Sequence, residues 1–271
     1  MFFKNKRIFF TLLIFIFSVN HFYGQEIKNV REVSYTAELY EFINMYFNHQ
    51  IKDEGLLEKY YLNAKESLDQ FEDEYHKLVH LARCDYYYGQ VLMENYDPSE
   101  MATKDLSDTS KDNANSKAAS FYDSSIESAK KALKIKEGSD AYSVLAQAIS
   151  ANCTAKNVLY IIANGLSVRK YAKLSQKIDM SNGTAHFLAA AQDIYAPAPF
   201  AKIKSGRDNM QTSLADKNVS FEKFDLFNIY SSIAYSYQRQ KNKEEAFVWY
   251  KKCLELYPDN VSVNNLSNKM Q

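Results

Sequence analysis

Apolar residues in this chain recur at helical spacing rather than in strict alternation. Near the C-terminus, Tyr230, Ile233, Ala234 and Tyr237 stand at i, i+3, i+4 and i+7 and share one stripe of a helix. Ala246, Tyr250, Cys253, Leu254 and Tyr257 repeat that spacing on a second helix, which Pro258 stops. Only the polar turn from Gln240 to Lys243 separates the two. Short amphipathic helices joined this tightly must lie antiparallel and hide both stripes in a common seam. Ala234 and Ala246 fall where the backbones come closest.

The same periodicity extends upstream. Residues 30–48 and 56–71 predict a first helix pair, and 73–94 a third helix rich in Tyr. Residues 95–116 are polar and nearly free of large apolar groups, so a flexible insertion is expected there. Residues 117–136 return to helix, with Ala129, Ala132 and Leu133 at the places of Tyr250, Cys253 and Leu254. Helices 73–94 and 117–136 therefore read as one pair whose turn has been stretched. Residues 140–151 carry Tyr142, Leu145, Ala146 and Ile149 on one stripe; their partner, 155–180, holds Gly165 as an expected break. Residues 184–194 form a helix that the Pro197 and Pro199 segment ends, and 202–214 follow with Gly206, Met210 and Ser213 at the seam spacing. Residues 261–271 remain as a C-terminal tail. The expected fold is all-α, a superhelix of about five stacked antiparallel helix pairs over residues 25–260.

Phe227 to Pro258 resembles the tetratricopeptide repeat (TPR), a helical hairpin of about 34 residues. Tyr230 stands at the family's Trp, Ile233 at its Leu, Ala234 at its Gly and Tyr237 at its Tyr. Ala246, Tyr250, Cys253 and Pro258 take its Ala, Phe, second Ala and Pro. The resemblance covers about residues 75–260 and fades towards the N-terminus.

Composition supports helices and narrows the function. Seven Gly and four Pro in 271 residues leave few breaks. Basic and acidic residues are equal, 33 each, so no global field draws the chain to nucleic acid. Lys4, Lys6 and Arg7 precede an apolar run from 8 to 17, which reads as a signal peptide over 1–24 rather than a membrane span. A cut after Gly24 would leave Gln25 first and a charge near −3, since three basic and no acidic residues are removed. A periplasmic or secreted location is expected, with an uncleaved anchor as the other outcome.

Catalytic signatures are missing. No GxGxxG, GxxxxGK[ST] or GxSxG occurs, and the acidic pairs fall where helices start, where they favour the helix dipole. His76, His80 and Cys84 stand at i, i+4 and i+8, but no fourth metal donor accompanies them. Cys84 and Cys153 could pair in an oxidising compartment, with Cys253 left at a packing position. The reading is a non-enzymatic binding protein without metal or cofactor.

The TPR resemblance places the groove on the first helix of each pair. Its groove positions correspond here to Asn228, Ser231, Tyr235, Gln238 and Arg239 in the last pair, then Thr184, Phe187, Ile194 and Tyr195. Ser143, Gln147 and Ser150, and finally His76, Arg83, Tyr86 and Tyr87, complete the surface. The candidate binding residues are His76, Arg83, Tyr87, Ser143, Gln147, Phe187, Tyr195, Tyr235, Gln238 and Arg239. Aromatics mixed with Arg and amides suit a partner protein or peptide, or a small polar ligand. The chain is also similar to the exported TPR component of TRAP-type uptake systems, which implies a periplasmic solute-binding protein as partner and a ligand held in a pore. A homo-oligomer stays open.

Overall fold

The computed structural model describes residues 35–48, 54–93, 112–196 and 199–271. Most helix starts are set by short polar side chains. Asp73 accepts from the Tyr75 amide at 2.8 Å, and Asn157, Asn182, Asn242 and Asn260 accept in the same way from residues 160, 185, 245 and 263. Each cap satisfies a donor that the helix itself cannot. Glu222 and Asp225 cap another helix reciprocally.

Among the described residues these signals produce eleven helices. They are α1 (Ala37–Asn48), α2 (Glu54–Ser67), α3 (Glu74–Leu92), α4 (Asp112–Ile135), α5 (Ser139–Ala155) and α6 (Val158–Ile178). Then follow α7 (Gly183–Tyr195), α8 (Ile203–Ala215), α9 (Lys223–Arg239), α10 (Lys243–Leu256) and α11 (Val261–Met270). Consecutive helices pair as α1/α2, α3/α4, α5/α6, α7/α8 and α9/α10, giving the all-α superhelix of five hairpins.

Small residues and rings build the seams. Ala234 and Ala246 are fully buried between α9 and α10, where Tyr230 meets Trp249 at 5.6 Å. Gly206 brings α8 so close to α7 that a Cβ there would stand 2.9 Å from the Ala190 carbonyl. In α5/α6, Ser143 and Ser175 share a hydrogen bond of 2.8 Å, and Tyr142 stacks on Tyr171. Helices α3 and α4 pack along their length although residues 93–111 lie between them. Tyr122 of α4 fits over Gly89 and donates to Gln90 Oε1 at 2.7 Å.

Three segments differ from the pattern-based reading. Helix α4 begins at Asp112, so residues 112–116 of the expected insertion are helical, while 95–111 lie outside the described residues. Helix α6 passes through Gly165 unbroken, since a single Gly costs a helix only about 1 kcal/mol. The tail 261–271 forms α11, whose Val263, Ser267 and Met270 are buried. The signal peptide expected over 1–24 lies outside the described residues. No described helix is long and apolar enough to cross a membrane.

The superhelix turns far enough for its ends to meet. Phe47 at the end of α1 stacks on Phe224 and Tyr257, at 6.0 and 5.0 Å, and meets Phe227 edge-on at 5.2 Å. Asn260 Nδ2 donates to the Phe47 carbonyl at 2.7 Å, across 213 residues of chain. Tyr87 of α3 also reaches Phe224. The first helices of the hairpins, α1, α3, α5, α7 and α9, thus form a ring around a lumen.

Candidate functional site

One end of the lumen is a polar floor built by Arg83 from the middle of α3 and by the starts of α5, α7 and α9 and the segments before α1, α7 and α9. Arg83 stands at its centre, buried, with Nη1 donating to Tyr35 Oη at 2.6 Å. Its Nη2 lies 3.4 Å from Asp140 Oδ1 and 3.5 Å from Glu222 Oε1. The Tyr35 hydroxyl donates to Glu222, and Asn182 joins Ser139 at 2.8 Å. Thr184 donates to Asp225, whose carboxylate caps Glu222. Burial works against the Arg83 charge, but Tyr35, Glu222 and Asp140 raise its pKa above the usual guanidinium value. Burial, with Glu222 beside it, pushes the Asp225 carboxyl up to about 7.

The later turns of the same helices line a cavity of about 780 Å³. Tyr86, Tyr87 and Gln90 come from α3, Gln147 and Ser150 from α5, and Phe187, Leu188 and Tyr195 from α7. Phe47 of α1 and Asn228 of α9 close the circuit. Helix α6 supplies the rest of the wall with Ile161, Ile162, Gly165, Leu166 and Val168. At the mouth, Leu166 is 87% exposed and Phe200 72%. An ion pair of 2.6 Å between Arg169 and Asp193 sits on the wall, each charge answered by the other.

Four of the ten candidate residues meet in this cavity: Tyr87, Gln147, Phe187 and Tyr195. The other six lie outside its lining. Arg83 belongs to the floor, and Ser143 hydrogen-bonds Ser175 in a buried seam. Tyr235 stacks on Tyr195 at 5.4 Å. Gln238 accepts from Tyr250 at 2.8 Å, and Arg239 donates to the Ile194 carbonyl at 2.9 Å. His76 is half-exposed beside Asp73, 3.0 Å away. His80 is buried against Phe71 and Cys84 lies in the core, so the three residues once spaced for a metal do not converge. Among the described residues no group of three His, Cys, Asp or Glu side chains could hold a metal ion. Cys84, Cys153 and Cys253 are free thiols.

The α6 wall is the part that repeat periodicity missed. Its signal was present as VLYIIANGL at 158–166, apolar on more sides than one seam can bury.

The geometry is that of a ring of hairpins with its first helices inward, and comparison with known families locates one repeat within it. Residues 227–260 match the tetratricopeptide repeat. The TPR match covers α9 and α10, whose class of helical repeat mediates protein interactions. No curated protein and no solved structure matches the chain.

Proposed function

We propose that this TPR-like chain is an exported, non-enzymatic binding protein that holds a small ligand in the lumen of its ring. One observation carries the reading: Phe47 against Phe224, Phe227 and Tyr257 converts an open groove into a walled cavity. At about 780 Å³ it falls in the range of small-molecule sites, about 300–1,000 Å³. Such a protein resembles the TPR component of a TRAP-type uptake system, with a periplasmic solute-binding protein as its partner. Native mass spectrometry of protein taken from its own cell envelope tests this. A discrete extra mass released on collision supports it, and bare protein in repeated preparations rejects it. Sequencing the recovered N-terminus tests export, with Gln25 expected as the first residue.

A second reading has the partner protein's own apolar segment entering the ring. The apolar rim of Ile162, Leu166 and Phe200 favours it, because exposed patches of this kind mark interaction sites. Loss of one specific protein from a pull-down with Leu166→Glu, while the released mass persists, would place the protein contact at the rim.

A further inference from the structure

Most polar groups around the lumen already have partners. Gln90 accepts from Tyr122 and donates to Tyr86, Gln192 donates to the Gly165 carbonyl, and Tyr195 hydrogen-bonds Ser232. Three differ. The Tyr87 hydroxyl and the carboxamides of Gln147 and Asn228 line the cavity without a side-chain hydrogen bond among the described residues. Their residues are only 3%, 6% and 8% exposed. They come from three different helices, α3, α5 and α9, so no single helix accounts for them.

None of the three is sealed within the protein: their polar atoms open onto the cavity, where a ligand can reach them. Polar groups that converge on an otherwise apolar cavity fix the orientation and the identity of what it takes up. A carboxamide offers two donors and a carbonyl acceptor, and a phenol one donor and an acceptor, all uncharged. Burial raises the Tyr87 hydroxyl well above its ordinary pKa, so it stays neutral. Around these three groups the wall is apolar: Phe47, Phe187, Leu188 and Val168. Of the charged residues in the lining, Arg169 and Asp193 pair with each other and Lys202 is exposed to solvent, so a charged ligand seated among the three polar groups would lose its hydration without a buried counter-ion.

We propose that the lumen binds a neutral, mainly apolar organic molecule bearing carbonyl, amide or hydroxyl groups, which Tyr87, Gln147 and Asn228 hydrogen-bond. This rests on the small-ligand reading above and specifies its chemistry. The ligand contributes area to the aromatic wall and orientation through the three polar groups.

Two dyes of similar bicyclic body separate the possibilities. Prodan is a neutral naphthalene ketone whose emission moves to the red when its carbonyl accepts a hydrogen bond; anilinonaphthalenesulfonate carries a fixed negative charge. Full-length processed protein is expected to take up prodan saturably, at least about tenfold more tightly than the sulfonate. Tyr87→Phe, Gln147→Met and Asn228→Leu, which keep shape while removing polar atoms, are each expected to weaken prodan about three- to tenfold. The bound emission should move to the blue in at least one of them, a change that loss of packing alone does not give. Tyr87→Phe removes a single oxygen, so a folded variant remains if either amide variant misfolds. Sulfonate binding equal to prodan, or unchanged affinity and emission in all folded variants, overturns this chemistry while leaving a small-ligand function standing. No saturable uptake of either dye, together with bare protein in native mass spectrometry, overturns both.

Discussion

The floor and the cavity are two levels of one ring, formed by the same first helices, and they handle buried polarity in opposite ways. In the floor, Arg83, Glu222, Asp140, Tyr35, Thr184 and Asp225 answer one another within the protein. In the cavity, Tyr87, Gln147 and Asn228 present polar groups to the lumen among rings and aliphatic side chains. The first arrangement fastens helices far apart in the chain. The second leaves recognition capacity that folding has not consumed. Polar residues on the inner face of a superhelix are thus no guide to a binding site until their partners are known.

The largest test of this contrast removes the centre of the floor. Arg83→Met leaves the buried Glu222 and the partly exposed Asp140 without their cation, and is expected to cost about 3–5 kcal/mol of unfolding free energy in urea titration. A loss under about 1 kcal/mol would mean that the floor does not fasten the ring. Next is the α7/α8 seam, where Gly206→Ala pushes a methyl into the Ala190 carbonyl and should cost about 1–3 kcal/mol. An unchanged denaturation midpoint would contradict that close approach.

The floor should also respond to pH through Asp225. Its folded pKa is raised, to about 7, above the unfolded carboxylate value of about 3.9. Its contribution to stability is therefore full below the unfolded value and is lost as pH rises through about 7. Thermal unfolding from about pH 5 to about pH 8 should show a falling midpoint that Asp225→Asn flattens; equal slopes would rule out this origin. The smallest effect belongs to His76, half-exposed outside both levels. His76→Ala is expected to stay within about 0.5 kcal/mol of the parent protein and to leave dye uptake unchanged. A loss of uptake would move the binding surface outside the lumen.

These positions show how far the sequence could be read. The seam of α9 and α10 was legible because its stripes lie close in sequence and keep a 3.6-residue period. The α3/α4 pair was legible because each helix keeps that period by itself, although residues 93–111 separate the two. Inward-facing Tyr87, Gln147, Phe187 and Tyr195 followed from repeat positions. The same positions also named Arg83, Ser143, Gln238 and Arg239, whose partners Glu222, Ser175, Tyr250 and Ile194 sit on other helices. Nothing local distinguishes an Arg that waits for a ligand from one already paired. Tyr235 stacks on Tyr195, which lines the cavity.

By itself, the order of apolar and polar residues determined the helices, their pairing and the direction of their inner faces, since each depends on contacts within a few turns of chain. Only the tertiary structure decided that Phe47 reaches Phe224 and Tyr257, that α11 continues beyond the last pair, and that the groove becomes a lumen. Those outcomes depend on small rotations accumulated from one hairpin to the next. No single hairpin encodes their sum.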